Sequence, residues 1–126
     1  MSVVKYTEDH EWIRVEENNE AVVGITDYAQ EQLGELVYIE LPSEGTEVTQ
    51  GEDCAVVESV KAAGDVKSPV SGTIVEVNEA LTDTPETTND DPMGEGWLYR
   101  IRLADESELD SLMDESDYRA YLNSLE

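Results

Sequence analysis

Short apolar runs at strand spacing, turns marked by Gly and Pro, and helical spacing confined to two stretches predict a mainly antiparallel β-sandwich or flattened barrel. The runs include Ala55-Val56-Val57 and Gly72-Thr73-Ile74-Val75-Glu76-Val77, and the helical stretches are 26–33 and 105–125. No self-similarity at a period of about 20 to 50 residues marks a repeat array. With 126 residues, the chain is the size of one domain, residues 1–126, closed around a single core.

Residues 3–6 and 10–15 read as extended segments, with Trp12 and Ile13 as their apolar anchors. The polar run Glu16-Glu17-Asn18-Asn19-Glu20 then turns the chain into Ala21-Val22-Val23-Gly24-Ile25, which completes a hairpin. Thr26 stands where a short helix needs its cap, Asp27 lies in the first turn where the helix dipole favours a negative charge, and Gly34 stops the helix. Tyr28 and Leu33 are expected to turn inward. Leu36 to Leu41 alternates as a strand, and Pro42 ends it by withholding a ladder donor.

Ser43 to Asp53 reads as a polar connection. Cys54 to Ser59, a tight bend at Val60-Lys61-Ala62 and a return through 65–70 make a second hairpin, and Thr73 to Val77 is a further strand. Residues 82–96, rich in Thr, Asp, Pro and Gly, read as a surface loop with almost nothing to bury. Trp97 to Leu103 resumes a strand. In the tail, Leu109, Leu112 and Met113 stand three and four apart behind a cap at Asp105 with Glu108. Tyr118, Tyr121, Leu122 and Leu125 repeat that spacing, so two short amphipathic helices are expected to close the chain.

The charge balance restricts function. Against 31 Asp and Glu stand 7 Lys and Arg, a formal net charge of -24, which opposes sustained binding to nucleic acid or anionic lipid. Hydrophobic residues at 39% separate the chain from disordered acidic sequences. Cys54 stands alone, so neither an intramolecular disulfide nor a cysteine zinc site is available. With no signal segment and no stretch of about 18 apolar residues, export and membrane spanning lack support and a cytoplasmic location is expected.

Catalytic groups are scarce. His10 is the only histidine, no nucleophile–base triad is evident, and Glu8-Asp9-His10-Glu11 reads as a solvated charged face with no metal assigned. Carboxylates are too numerous for any pairing to discriminate, and Gly94-Glu95-Gly96 is only a fragment of a phosphate-binding pattern. Cys54, in a Val/Ala strand, reads as a small buried hydrophobe. Only Lys5, Lys61 and Lys67 supply amines. Lys61 stands at the expected hairpin tip, open to a modifying enzyme, although position alone favours an ordinary solvated turn lysine.

The flanking sequence overrides that default. Val57-Glu58-Ser59-Val60-Lys61-Ala62-Ala63, then Ser68-Pro69-Val70-Ser71-Gly72 and Val75-Glu76-Val77-Asn78, resemble the H protein family of the glycine cleavage system. So do His10-Glu11-Trp12-Ile13, Gly24-Ile25-Thr26-Asp27-Tyr28-Ala29-Gln30, Leu33-Gly34, Val37-Tyr38-Ile39-Glu40-Leu41-Pro42, Gly96-Trp97-Leu98, and Leu112-Met113 with Tyr118. The resemblance covers nearly the whole chain in order. It implies a lipoyl-domain-like barrel-sandwich hybrid of two antiparallel sheets, and lipoate in amide linkage on Lys61 at a hairpin tip. It also implies a non-catalytic carrier.

In the cycle the resemblance implies, a pyridoxal-phosphate glycine decarboxylase (P protein) releases carbon dioxide and transfers the aminomethyl group to the lipoyl disulfide. A folate-dependent aminomethyltransferase (T protein) takes the one-carbon unit and frees ammonia. A flavin-dependent dihydrolipoyl dehydrogenase (L protein) then reoxidises the dithiol and passes electrons to NAD. A tether keeps the intermediate at high effective concentration as it visits these sites. Glu58 and Ser59 are expected either to help the lipoate-attaching enzyme recognise the hairpin or to serve as plain outward polar positions. Lys67 departs from the aromatic residue the resemblance leads one to expect there, and Gly64 from a Ser or similar residue; neither change touches Lys61.

Biotin carboxyl carriers are disfavoured, because their lysine sits in Met-Lys-Met contexts while Lys61 lies between Val60 and Ala62. Lipoyl domains of 2-oxoacid dehydrogenase complexes show Asp-Lys-Ala and continue into further domains, although a relay of lipoyl groups to such complexes stays open. An unmodified adaptor with the same surface is the rival from another class, and a monomer is expected of a carrier that serves several partners.

The acidity also predicts a salt-rich host cytoplasm. Salt near 1 M shrinks the Debye length to about 3 Å and screens carboxylate repulsion. The melting temperature is therefore expected to be lower in dilute buffer than in molar KCl, and an equal or higher value in dilute buffer contradicts the salt adaptation.

Overall fold

The computed structural model describes residues 3–16 and 18–125. Among them the strands are β1 Val3–Tyr6, β2 Glu11–Val15, β3 Glu20–Ile25, β4 Leu36–Glu40, β5 Glu47–Val48, β6 Asp53–Ser59, β7 Ala63–Lys67, β8 Gly72–Val77 and β9 Tyr99–Leu103. The α-helices are α1 Asp27–Leu33, α2 Ala80–Asp83, α3 Glu86–Asp90 and α4 Glu115–Ser124, with a 3₁₀ helix at Glu106–Ser111. Six strands pair in the order β1-β2-β3-β9-β8-β5 and three in the order β4-β6-β7. Every pairing is antiparallel, as the sequence predicts.

Alternation along the strands sends one set of side chains between the sheets. Ile13, Val23, Ile74, Tyr99 and Ile101 from the large sheet meet Leu36, Ile39, Ala55, Val57 and Val66 from the small one, all buried in one cluster. A second cluster lies on the outer face of the large sheet, where Tyr6, Trp12 and Val22 are covered by Tyr118 of α4 and by Met93, Trp97, Met113, Tyr121 and Leu122. Trp12 donates its indole N–H to Pro92 O at 3.0 Å. Gly24 sits beneath that ring, where an added Cβ would lie 2.8 Å from indole atoms, so the aromatic plane occupies the space of a missing side chain.

The two predicted hairpins form. Asn18 and Asn19 both adopt positive φ, 64° and 60°, the backbone that matches strand twist in tight hairpins and that Asn tolerates; Glu17 of the same turn lies outside the described residues. Thr26 caps α1 by accepting from Ala29 N, and Gly34 ends it at φ 85°. Leu33 packs on the core, whereas Tyr28 lies half-buried over the His10 ring, 4.4 Å between centroids.

Several expectations are corrected. Residues 82–96 are not a loop without burial: α2 and α3 lie in or beside them, and Leu81 and Thr88 are fully buried. Thr, Asp and Pro spacing hid this because each helix is about one turn and buries a single side chain, too few for a helical period to show. The connection 43–53 contains β5, only two residues long, which pairs with β8. The return strand ends at Lys67 rather than at 70; the Ser68 backbone still accepts from Gly51 N at 2.8 Å and donates to Glu52 O at 2.9 Å, and its hydroxyl donates to Val70 O at 2.6 Å. Strand β9 begins at Tyr99, not at 97.

In the tail, the first helix is 3₁₀, and Glu108 does not close a capping box. Its carboxylate accepts from the Ser71 amide at 2.7 Å and the Ser71 hydroxyl at 2.8 Å, while the side chain of Asp105 accepts from Ser107 N at 3.0 Å. A long-range acceptor demand thus overrides the local box. The second helix, α4, is capped by Asp114 through Asp117 N.

Candidate functional site

Lys61 stands at the tip of the β6–β7 hairpin. The turn is built on Ser59, whose backbone N–H donates to Ala62 O at 2.7 Å. Its hydroxyl donates to the same carbonyl at 3.1 Å and accepts from Lys61 N at 3.2 Å and Ala62 N at 3.0 Å. One serine thus satisfies the amides that a two-strand ladder leaves open at its end. Val60, beside the lysine, is 69% exposed, and Lys61 and Ala62 are exposed as well.

The tip is also tied sideways. Val60 N donates to Glu35 O at 3.1 Å, which joins the hairpin to the link between α1 and β4. The aliphatic stem of Lys61 runs over Gly34, whose hypothetical Cβ would stand 3.2 Å from Lys61 Cε. Glycine is favoured there by its positive φ of 85°. Lys67 Nζ lies 4.0 Å from Asp9 Oδ2, but none of the ion pairs among the described residues involves Lys61. Among the described residues, no carboxylate lies within ion-pair distance of the amine.

Glu58, opposite Tyr38 on one side and Ala63 on the other, faces solvent. A bulge between Leu36 and Tyr38 leaves both Val37 and Tyr38 about half exposed, at 51% and 46%, on the strand next to the hairpin. Bulges re-aim side chains in this way. The structure therefore gathers Glu58, Ser59 and Lys61 on one hairpin end, with Ser59 shaping the turn rather than projecting as a plain outward residue.

In the segment from Glu8 to Glu11, Glu8 and Asp9 are exposed as their charges lead one to expect, whereas His10 and Glu11 turn inward. His10, at φ 69°, is half-buried between Tyr28, Tyr118 and Tyr121, and its Nδ1 lies 2.8 Å from the Tyr118 hydroxyl. Glu11 is buried. Its carboxylate accepts from the Thr7 hydroxyl at 2.7 Å and from Lys67 N at 3.1 Å, so it ties the large sheet to β7, the return strand of the Lys61 hairpin. Burial pushes the Glu11 carboxyl up to about 7, against the lowering pull of those two hydrogen bonds. Sequence reasoning missed this residue because a carboxylate among charged neighbours carries no sign of its own burial.

No group of three His, Cys, Asp or Glu among the described residues is placed to hold a metal ion. Cys54 is half-buried and its thiol is pushed up by burial, the opposite of a reactive thiolate. A groove of about 640 Å³ between α1 and α3 is lined by Gln30, Glu31, Gly34, Glu35, Glu86, Asn89 and Asp90, without a nucleophile or a histidine. No helix among the described residues is long and apolar enough to cross a membrane.

A sandwich of two sheets that presents an exposed lysine at a hydrogen-bonded hairpin tip has the arrangement of a protein of the carrier class. The family described as glycine cleavage H-protein matches residues 4–125. The chain is 58% identical over 118 residues to the glycine cleavage system H protein of Aeromonas hydrophila, covering 94% of this chain and 92% of that one. It is 55% identical over 125 residues to that of Beijerinckia indica, covering 99% and 100%. The crystal structure of a glycine cleavage system H protein from Mycobacterium marinum superposes with a TM-score of 0.87 at 41% identity, covering 95% of this chain and 96% of that one. The chain belongs to the glycine cleavage H-protein family. Its function is that of the family, a non-catalytic lipoyl carrier that shuttles intermediates among the P, T and L proteins.

The raised Glu11 carboxyl makes stability depend on pH. The folded chain holds that proton more tightly than the unfolded chain does, so its contribution is full below about 4.5 and is lost as pH rises toward about 7. Urea denaturation of the native protein and of Glu11→Gln across pH 5 to 8 tests this. The native protein is expected to lose stability relative to the variant as pH rises, by an amount on the order of a few kcal/mol. Parallel curves would show that Glu11 titrates as an ordinary carboxylate.

Proposed function

We propose that Lys61 is the lipoyl attachment site and that the β6–β7 hairpin is the element partner enzymes meet. The observation that carries the reading is the combination at one residue: an exposed amine outside every described ion pair, on a turn held by Ser59 and tethered through Val60. When bound as an amide on Nζ, the lipoyl group supplies a disulfide that accepts the aminomethyl unit with reduction and is later restored by oxidation.

The chain's own contribution is to hold and present. Ser59 fixes the backbone N–H groups of residues 61 and 62, Gly34 gives the lysine stem a flat surface to leave from, and Glu58 stands on the strand leading to the tip. Glu58 and Ser59 then serve recognition by the lipoate-attaching enzyme, Ser59 through turn geometry and Glu58 as an exposed charge. Conversion of the ammonium to an amide removes a positive charge from an already acidic face.

The partners under this reading are glycine decarboxylase, the folate-dependent aminomethyltransferase, dihydrolipoyl dehydrogenase and the attaching enzyme. Residues 1–126 act as one carrier domain, as a monomer, in a cytoplasm rich in salt. The net charge of -24 supports the salt adaptation, and the single half-buried cysteine supports a reducing compartment.

Loading of purified chain by a lipoate-attaching enzyme, followed by intact mass, tests the site. Lys61→Arg is expected to take up no lipoyl group although Lys5 and Lys67 remain. Ser59→Ala is expected to load with kcat/KM lowered about tenfold, having lost a turn-forming hydroxyl of the kind typically worth about 1 kcal/mol per hydrogen bond. Glu58→Gln is expected to raise KM a few-fold. Full loading of Lys61→Arg would overturn the assignment.

A further inference from the structure

The outward edge of β4 is unpaired, since β4 ends the three-stranded order β4-β6-β7. A buried residue on such an edge needs another partner for its N–H. Leu36, 2% exposed, donates its N–H to Asn89 Oδ1 at 2.8 Å. The amide nitrogen of the same Asn89 donates to Gly34 O at 2.9 Å and to Gln30 Oε1 at 2.9 Å. The side chain thus satisfies the open edge of β4 and a free carbonyl at the C-terminal end of α1 together. Only a carboxamide offers a donor and an acceptor side by side for this task.

Between the two clamped residues lies Glu35, whose carbonyl accepts from Val60 N. Gly34, the other end of the clamp, is the residue over which the Lys61 stem runs. Asn89 makes none of the described hydrogen bonds with the hairpin itself, yet its partners Gly34 and Leu36 bracket Glu35, the residue that accepts from the hairpin tip. Its own position is fixed by the preceding Thr88, fully buried with its hydroxyl donating to Gly96 O at 3.2 Å. Gly96 comes so near Thr88 that a Cβ there would stand 2.6 Å from Thr88 Cα.

We propose that Asn89 is a positioning residue for Lys61: through Gly34, Glu35 and Leu36 it keeps the hairpin tip in the one geometry that the attaching enzyme accepts. Without the clamp, the tip exchanges among several arrangements, and only a fraction of molecules presents the lysine correctly. Apparent affinity falls by that fraction while turnover of the bound chain does not.

Asn89→Asp is the nearest test, because it keeps an acceptor for Leu36 N and loses both donors to Gly34 and Gln30. The expected result is exchange of the Val60 amide at least about tenfold faster than in the native chain, consistent with loss of the hydrogen bonds to Gly34 and Gln30. Exchange at Val23 and Ile101 in the sheets stays unchanged. Loading by the attaching enzyme shows KM raised with kcat intact. Unchanged Val60 exchange would overturn the proposal, and so would a fall in kcat at constant KM. If protection is lost throughout Asn89→Asp, Gln30→Ala decides, since it removes one anchor of the carboxamide without adding charge. Val60 exchange a few-fold faster supports the clamp, and an unchanged rate overturns it. The kinetic readout rests on Lys61 being the attachment site, whereas the exchange readout does not, so failure of that assignment and failure of the clamp are separable.

Discussion

The presentation of Lys61 depends on one constraint, the fixing of a hairpin tip that lies beyond the last β4–β6 pair, Leu36 with Ser59. Past that pair no ladder partner remains, and a free tip would sample many conformations at a cost in entropy whenever an enzyme had to capture one of them. Ser59 from within and Glu35 from the side remove that freedom. The bond from Glu11 to Lys67 N anchors the far end of the same hairpin on the large sheet. Hydrogen bonds hold the backbone of the turn while the Lys61 side chain stays exposed, the arrangement a swinging carrier needs.

Charge is distributed with the same economy. Among the described residues, Arg14, Arg100 and Arg102 form ion pairs across the outer face of the large sheet with Glu16, Glu76 and Glu20. Each is a partly exposed pair, of the kind worth little individually, but together they neutralise acidic residues on adjacent strands where repulsion would act at close range. Elsewhere carboxylates dominate the surface. A basic patch on a partner would be attracted to such a surface at low salt and much less so at high salt, whereas the exposed Val37 and Tyr38 on β4 and Val60 at the hairpin tip offer contact that screening does not weaken.

Much of this was legible in the residues, and what was not has physical causes. Hairpins and the capped α1 were readable because alternation, the polar run 16–20 and Thr26 with Gly34 are local signals. The motif around Lys61 pointed to the site, and Ser59 was singled out with it, though not for the turn it forms. Asn89 was missed. It lies in a five-residue helix inside a segment with a loop-like composition, and its role depends on groups 53 to 59 positions away in the chain. Glu11 and Glu108 were misread for the same reason: each serves a distant backbone amide, and a carboxylate does not announce in sequence whether it faces water or a buried N–H.

The central claim is that this scaffold exists to carry a lipoyl group on Lys61 and on no other lysine. Tandem mass spectrometry of peptides from the protein isolated from its own host measures that directly. The account predicts the lipoyl mass on the peptide containing Lys61, with Lys5 and Lys67 unmodified. A chain whose Lys61 is unmodified, or carries biotin, would contradict it and leave the hairpin as the surface of an adaptor or of a carboxyl carrier.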